Sequence, residues 1–112
     1  MRQNLIKEKS FQFSINIINV YKFLVHDKKE YVLSKQLLRS GTSIGANVSE
    51  ATVSQSKRDF IYKLNISFKE VAETIYWIEL LQISNYIDEE QGLDLKNKCL
   101  ELKRILTAII KT

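Results

Sequence analysis

Apolar residues recur along this chain every three or four positions, in four blocks separated by short polar breaks. That interval marks helices with one face turned toward a core. In residues 10–27, SFQFSINIINVYKFLVHD, one stripe holds Phe11, Ile15, Ile18 and Val25, and a second beside it holds Phe13, Ile17, Val20 and Leu24. Together they predict a wide core-facing surface, with Ser10 as N-cap. HDKKE (26–30) is a polar break. The second block runs from about Tyr31 to Ser54, with Leu33, Leu37, Ile44, Val48 and Ala51 at spacings of 4, 7, 4 and 3. Ser40 and Gly41 fill the long gap, where a large residue would be expected. The third block opens on Ser56-Lys-Arg-Asp59, an S-x-x-D capping pattern. It continues through Phe60, Leu64, Phe68, Val71, Ile75 and Ile78 toward Tyr86. The fourth begins at Asp88, with acidic residues suited to a helix N-terminus, and carries Leu95, Cys99, Leu102, Leu106 and Ile109. Gly92 is expected to distort its first turn. These periods predict one domain, residues 1–112, with helices at about 10–27, 31–54, 57–86 and 89–111. Four long helices with short connections form an antiparallel up-down-up-down four-helix bundle.

Composition narrows the class further. Proline is absent and glycine occurs three times, too few turn residues for an all-β domain. The single cysteine, Cys99, rules out an intrachain disulfide, and its apolar stripe makes it a packing residue. The N-terminal MRQNLIKEKS lacks the apolar core of a signal peptide, and no apolar run approaches the roughly 20 residues that span a bilayer. A cytoplasmic protein without a membrane partner is therefore expected. Net charge is +4, but unevenly spread. Residues 1–63 hold 11 Lys/Arg against 5 Asp/Glu, a surplus of six, while residues 64–112 hold 6 against 8. A basic half suits a polyanion, an acidic patch on a neighbouring subunit, or plain solvation.

Candidate chemistry is sparse. GTSIG (41–45) is no phosphate loop, because Ala46 follows where a P-loop has lysine and no strand precedes it. The only histidine, His26, lies in a polar break and far in sequence from Ser43, so a nucleophilic triad has little material, and one histidine cannot supply the two Glu-x-x-His motifs of a di-iron bundle. Glu70 and Glu73 are spaced i, i+3, with Lys69 placed to pair with Glu73. No catalytic residue, metal ligand or cofactor is expected. What remains is the surface of the second helix. Arg39, Ser43, Asn47, Glu50 and Ser54 form a polar stripe, open to solvent, to an internal or intersubunit network, or to a ligand. Gly41 and Gly45, at G-x-x-x-G spacing, strip side chains from one spot on successive turns, where another backbone or a large side chain can approach. Tyr62, Tyr76 and Trp77 flank the apolar stripe of the third helix, as aromatic residues do at interfaces and at bundle edges.

The run Arg39-Ser-Gly-Thr-Ser-Ile-Gly-Ala-Asn-Val-Ser-Glu-Ala51 resembles the R-x-x-x-S-I-x-A-N-I-x-E-[AG] signature of a bacterial family of four-helix bundle proteins, with Val48 in place of isoleucine. Asp59-Phe60, Lys63-Leu64, Glu73-Thr74, Tyr76-Trp77 and Leu80-Leu81 continue the likeness. The family is also called the 23S rRNA intervening-sequence protein family, after members encoded within insertions in large-subunit rRNA genes. The resemblance implies a homo-oligomer, a pentameric ring, without established enzymatic activity. A related accessory protein of diversity-generating retroelements shares the fold and a basic surface, and partners a reverse transcriptase and nucleic acid. Two functions follow as expectations. In one, the oligomer binds RNA or DNA by charge, with Lys28, Lys29, Lys35, Lys57, Arg58 and Lys63 as contacts. In the other it is a scaffold for another protein, with no direct nucleic-acid contact.

Overall fold

The computed structural model describes residues 2–112, and no strand occurs among them. The chain forms α1 (Arg2–His26), α2 (Leu33–Ala51), α3 (Lys57–Ile83) and α4 (Glu89–Ile110). Helix α2 packs between α1 and α3, and α4 closes the bundle against α3 and α1. Paired residue numbers fall along one helix as they rise along its neighbour: Glu50 meets Lys63, Ile44 meets Ser67 and Ser40 meets Thr74. The same reversal relates Lys9 to Glu101 and Glu79 to Lys96. The body measures 44 × 20 × 18 Å, the length of its longest helices.

Helix α1 starts eight residues before the expected point. Ile6 lies on the same stripe as Phe13, Ile17, Val20 and Leu24, and all five are buried. Ser10 is therefore no cap. It is buried in mid-helix, and its hydroxyl donates to the Lys7 carbonyl at 3.2 Å. Of the two α1 stripes only this one reaches the core. Phe11, Ile15 and Ile18 are 64%, 40% and 38% exposed, because a bundle helix turns little more than a third of its circumference inward. On α3 the buried line is Leu64, Ser67, Val71, Thr74, Ile78 and Leu81. Two hydroxyls thus stand where Phe68 and Ile75, partly buried at the flank, were expected to lead. On α4 Leu95, Cys99, Leu102, Leu106 and Ile109 are all buried. Burial in apolar surroundings pushes the Cys99 thiol up to about 12, which leaves it unreactive.

The ends of the helices have local causes. Ser56 accepts the Asp59 amide at 3.0 Å, and Asp88 accepts the Gln91 amide at 2.7 Å. Helix α3 stops where Asn85 turns left-handed, with the Tyr86 amide reaching the Leu81 carbonyl and the Asn85 amide that of Gln82. Gly92 does not distort α4. Its amide donates to Asp88 within the helix, and its missing side chain leaves room for Gln82 from α3. Within the expected polar break, Glu30 is buried and starts α2. Its carboxylate accepts the amides of Val32, Leu33 and Ser34, the last at 2.7 Å. Burial pushes its pKa up, but these amide bonds outweigh that and hold it below the ordinary value.

Gly41 and Gly45 mark the contact of α2 with α1. A Cβ on Gly41 would stand 2.7 Å from Ile17 Cγ1, and one on Gly45 would stand 3.1 Å from the Ser10 carbonyl oxygen. Ile17 is fully buried and has no free direction in which to retreat. Gly41→Ala should therefore lower stability by about 1 kcal/mol or more, despite the roughly 1 kcal/mol of helix propensity that alanine gains. Gly41→Leu should cost more, and Gly45→Ala should be nearly neutral. Urea denaturation checks this, and a raised midpoint for Gly41→Ala would refute the contact. Glu30→Gln should cost about 1–3 kcal/mol at neutral pH by weakening the bonds to the α2 amides. Because the folded pKa lies below the unfolded one, the stabilisation is present above the unfolded value and fades as pH falls through the folded one. The gap between wild type and Glu30→Gln in thermal melts should thus narrow on acidification; a gap independent of pH contradicts the assignment.

Candidate functional site

The polar stripe of α2 faces α3 for most of its length. The Arg39 guanidinium donates through Nη1 and Nη2 to the two oxygens of Glu70, at 3.1 and 3.2 Å, and through Nη2 to Glu73. Glu73 also accepts Trp77 Nε1 at 3.0 Å. The expected Lys69–Glu73 pairing gives way to this fork, since both glutamates turn toward α2. The Trp77 bond, followed by Arg39, holds the Glu73 carboxyl below its ordinary range, and Glu70 then Glu73 raise the Arg39 pKa. Arg39 already spans two carboxylates, so an anionic ligand would have to displace them. Tyr76 packs edge-on against Trp77 at 5.0 Å between centroids while remaining exposed.

Farther along the stripe, Ser43 donates to the Arg39 carbonyl at 2.6 Å and Asn47 to the Ser43 carbonyl at 2.8 Å. Both satisfy their own helix. Glu50 pairs with Lys63 across the seam at 3.1 Å, which raises the Lys63 pKa. Beneath the ion pairs lies a buried line of hydroxyls. Ser67 donates to the Ile44 carbonyl at 2.9 Å. Thr74 lies 2.7 Å from the Glu70 carbonyl and 3.0 Å from Ser40 Oγ. Its single proton serves the carbonyl, so Ser40 donates to Thr74. The small residues of the α2 signature thus fit between neighbouring helices of the same chain. Gly41 and Gly45 meet α1, and Ser40 meets α3.

Charge is arranged along the long axis in a way the linear halves do not show. At one end lie residues 2–9, 50–63 and 101–112, with nine Lys/Arg against four Asp/Glu, a surplus of five. At the other lie residues 22–35 and 79–98, with six against seven. The middle is balanced by Arg39 and Lys69 against Glu70 and Glu73. The six predicted contacts are therefore not one face. Lys28, Lys29 and Lys35 sit at the end where carboxylates prevail, and Lys28 lies over the Phe23 ring at 5.7 Å. Lys57 and Arg58 are exposed at the basic end, and Lys63, beside them, is engaged by Glu50. Arg2, Lys7, Lys103, Arg104 and Lys111 also belong to that end. Spacing along the chain could not find them, because the fold brings the first and last turns of the sequence together.

An open cavity of about 950 Å³ lies in the same end, between the first turns of α1 and α3 and the last turns of α2 and α4. No helix among the described residues is long and apolar enough to cross a membrane. Nor do the described residues contain three or more His, Cys, Asp or Glu grouped to hold a metal ion.

No functionally curated protein matches the chain. It is similar to the crystal structure of a protein of unknown function from the S23 ribosomal protein family of Bacteroides thetaiotaomicron. The two are 54% identical with a TM-score of 0.99, and the match covers 100% of each chain. Residues 2–108 match the family described as 23S rRNA-intervening sequence protein. With nearly the whole chain matched, signature helix included, this four-helix protein belongs to the 23S rRNA-intervening sequence protein family.

Proposed function

We propose that the protein is a non-enzymatic nucleic-acid-binding bundle of antiparallel, up-down-up-down helices that works as a homo-oligomer. The observation that carries the reading is the surplus of five positive charges at one end of the long axis. Counterion release from a phosphate backbone favours binding at such a surface without base-reading motifs. Oligomerisation multiplies the effect by setting several basic ends side by side. The exposed line of Phe11, Ile15 and Ile18 on α1 supports self-association, since it is an apolar strip that one chain leaves uncovered. The stoichiometry of five rests on the family resemblance. A cytoplasmic location accompanies this reading. The scaffold reading has its own support in Tyr62, Tyr76 and Ile83, 61%, 57% and 80% exposed along α3.

Light scattering should give about five times the 13.1 kDa of one chain. Phe11→Glu combined with Ile15→Glu should reduce that mass to one chain with helix content retained; a wild type that is already monomeric removes the ring. Fluorescence anisotropy with labelled RNA and DNA strands should show binding at low salt, with affinity falling as salt rises at a log–log slope of about −2 to −4 per binding end. Reversing Lys103 and Arg104 to glutamate should weaken binding roughly tenfold, and reversing Lys28 and Lys29 should do much less. Equal effects at the two ends would contradict the assignment to the basic end. A protein partner recovered after nuclease treatment, with no strand bound at low salt, would establish the scaffold reading instead.

A further inference from the structure

The cavity in the basic end combines two features that the surface charge alone does not require. Three cations stand around it, Arg2, Lys7 and Lys57, and no Asp or Glu side chain lines it. None of the three takes part in an ion pair among the described residues. The inner wall is apolar, formed by Phe60, Ile61 and Ile109. Two helix N-termini and two C-termini meet at this end, so their dipoles largely offset one another and the positive field comes from the side chains. A rim of unpaired cations over an apolar wall suits an anion with a flat apolar part. The volume of about 950 Å³ is much larger than an inorganic anion requires and lies in the range of organic ligand sites.

We propose that the cavity seats one nucleotide unit of a single strand. The base lies against Phe60, Ile61 and Ile109, and the phosphate lies among Arg2, Lys7 and Lys57. The site rests on the reading of the basic end as a polyanion surface and makes it selective. A duplex keeps its bases stacked and can use only the outer charges, whereas a single strand can offer an unstacked base. A free mononucleotide carries the same chemistry and should occupy the site weakly.

The test compares wild type with Thr52→Trp, which sets a bulky side chain at an exposed position on the cavity rim and narrows it without changing charge. Probes are a labelled single-stranded oligonucleotide and the matching duplex at low salt. The expected result is a loss of about tenfold or more in single-strand affinity with duplex affinity unchanged. Equal single-strand affinities for wild type and Thr52→Trp overturn the cavity site while leaving the polyanion reading in place. Failure of wild type to bind either probe overturns both. A second measurement needs no variant. In NMR titration of the wild type with adenosine monophosphate, resonances of Phe60, Ile61 and Ile109 should shift, and inorganic phosphate should leave the Phe60 ring unmoved. Shifts confined to exposed lysines overturn the proposal. Competition by excess mononucleotide then separates an internal or terminal strand nucleotide, only partly displaced, from a site that prefers the free nucleotide.

Discussion

The architecture depends on how closely α2 is gripped by its two neighbours. On one side Gly41 and Gly45 leave only backbone, and α1 moves in until Ile17 and the Ser10 carbonyl occupy the space that side chains would take. On the other side Ser40 meets Thr74, and the Ile44 carbonyl receives Ser67. Small residues permit the approach, and hydroxyls keep the polar atoms of the seam satisfied inside the core. The glycines weaken α2 as an isolated helix. The dense packing of α1 and α3 against it offsets that weakness.

This close seam also explains why the polar stripe of α2 is not a free surface. With α3 drawn in, Arg39 lies within reach of both Glu70 and Glu73, and Glu50 within reach of Lys63. The ion pairs cover the hydroxyl line and leave few donors for an outside ligand. Surface available for partners lies elsewhere, in the apolar strip of α1, the aromatic flank of α3 and the basic end of the bundle.

Much of the fold was legible in the chain. Five apolar positions of α4 alternate by three and four and are all buried, and Ser56 and Asp88 cap the helices they precede. Periodicity was silent at points where one contact outweighs it. Ile6 extends α1 because a single buried apolar residue suffices to continue the stripe, although apart from Leu5, itself exposed, the residues around it are polar. Glu30 was hidden in a polar break because its carboxylate gains its value only once folded, when three amides converge on it. Phe11, Ile15 and Ile18 were indistinguishable from the true core stripe, since hydropathy cannot say which of two adjacent faces turns inward.

The sequence by itself determined the four helices, most of the buried line of α2, all of the apolar line of α4, and the small-residue face of α2, because these follow from the geometry of a single helix; on α3 it named Leu64, Val71 and Ile78 but not the hydroxyls between them. It also determined the total charge. Tertiary structure decided where that charge lies. Folding brings Arg2, Lys57 and Lys111 to one end, from three distant parts of the chain, and sends Lys28 and Lys35 to the other, among carboxylates. It likewise decided that Arg39 is occupied and that a cavity opens beside Lys7. Such facts arise from pairing distant segments, and electrostatic fields add according to distance in space rather than order along the chain.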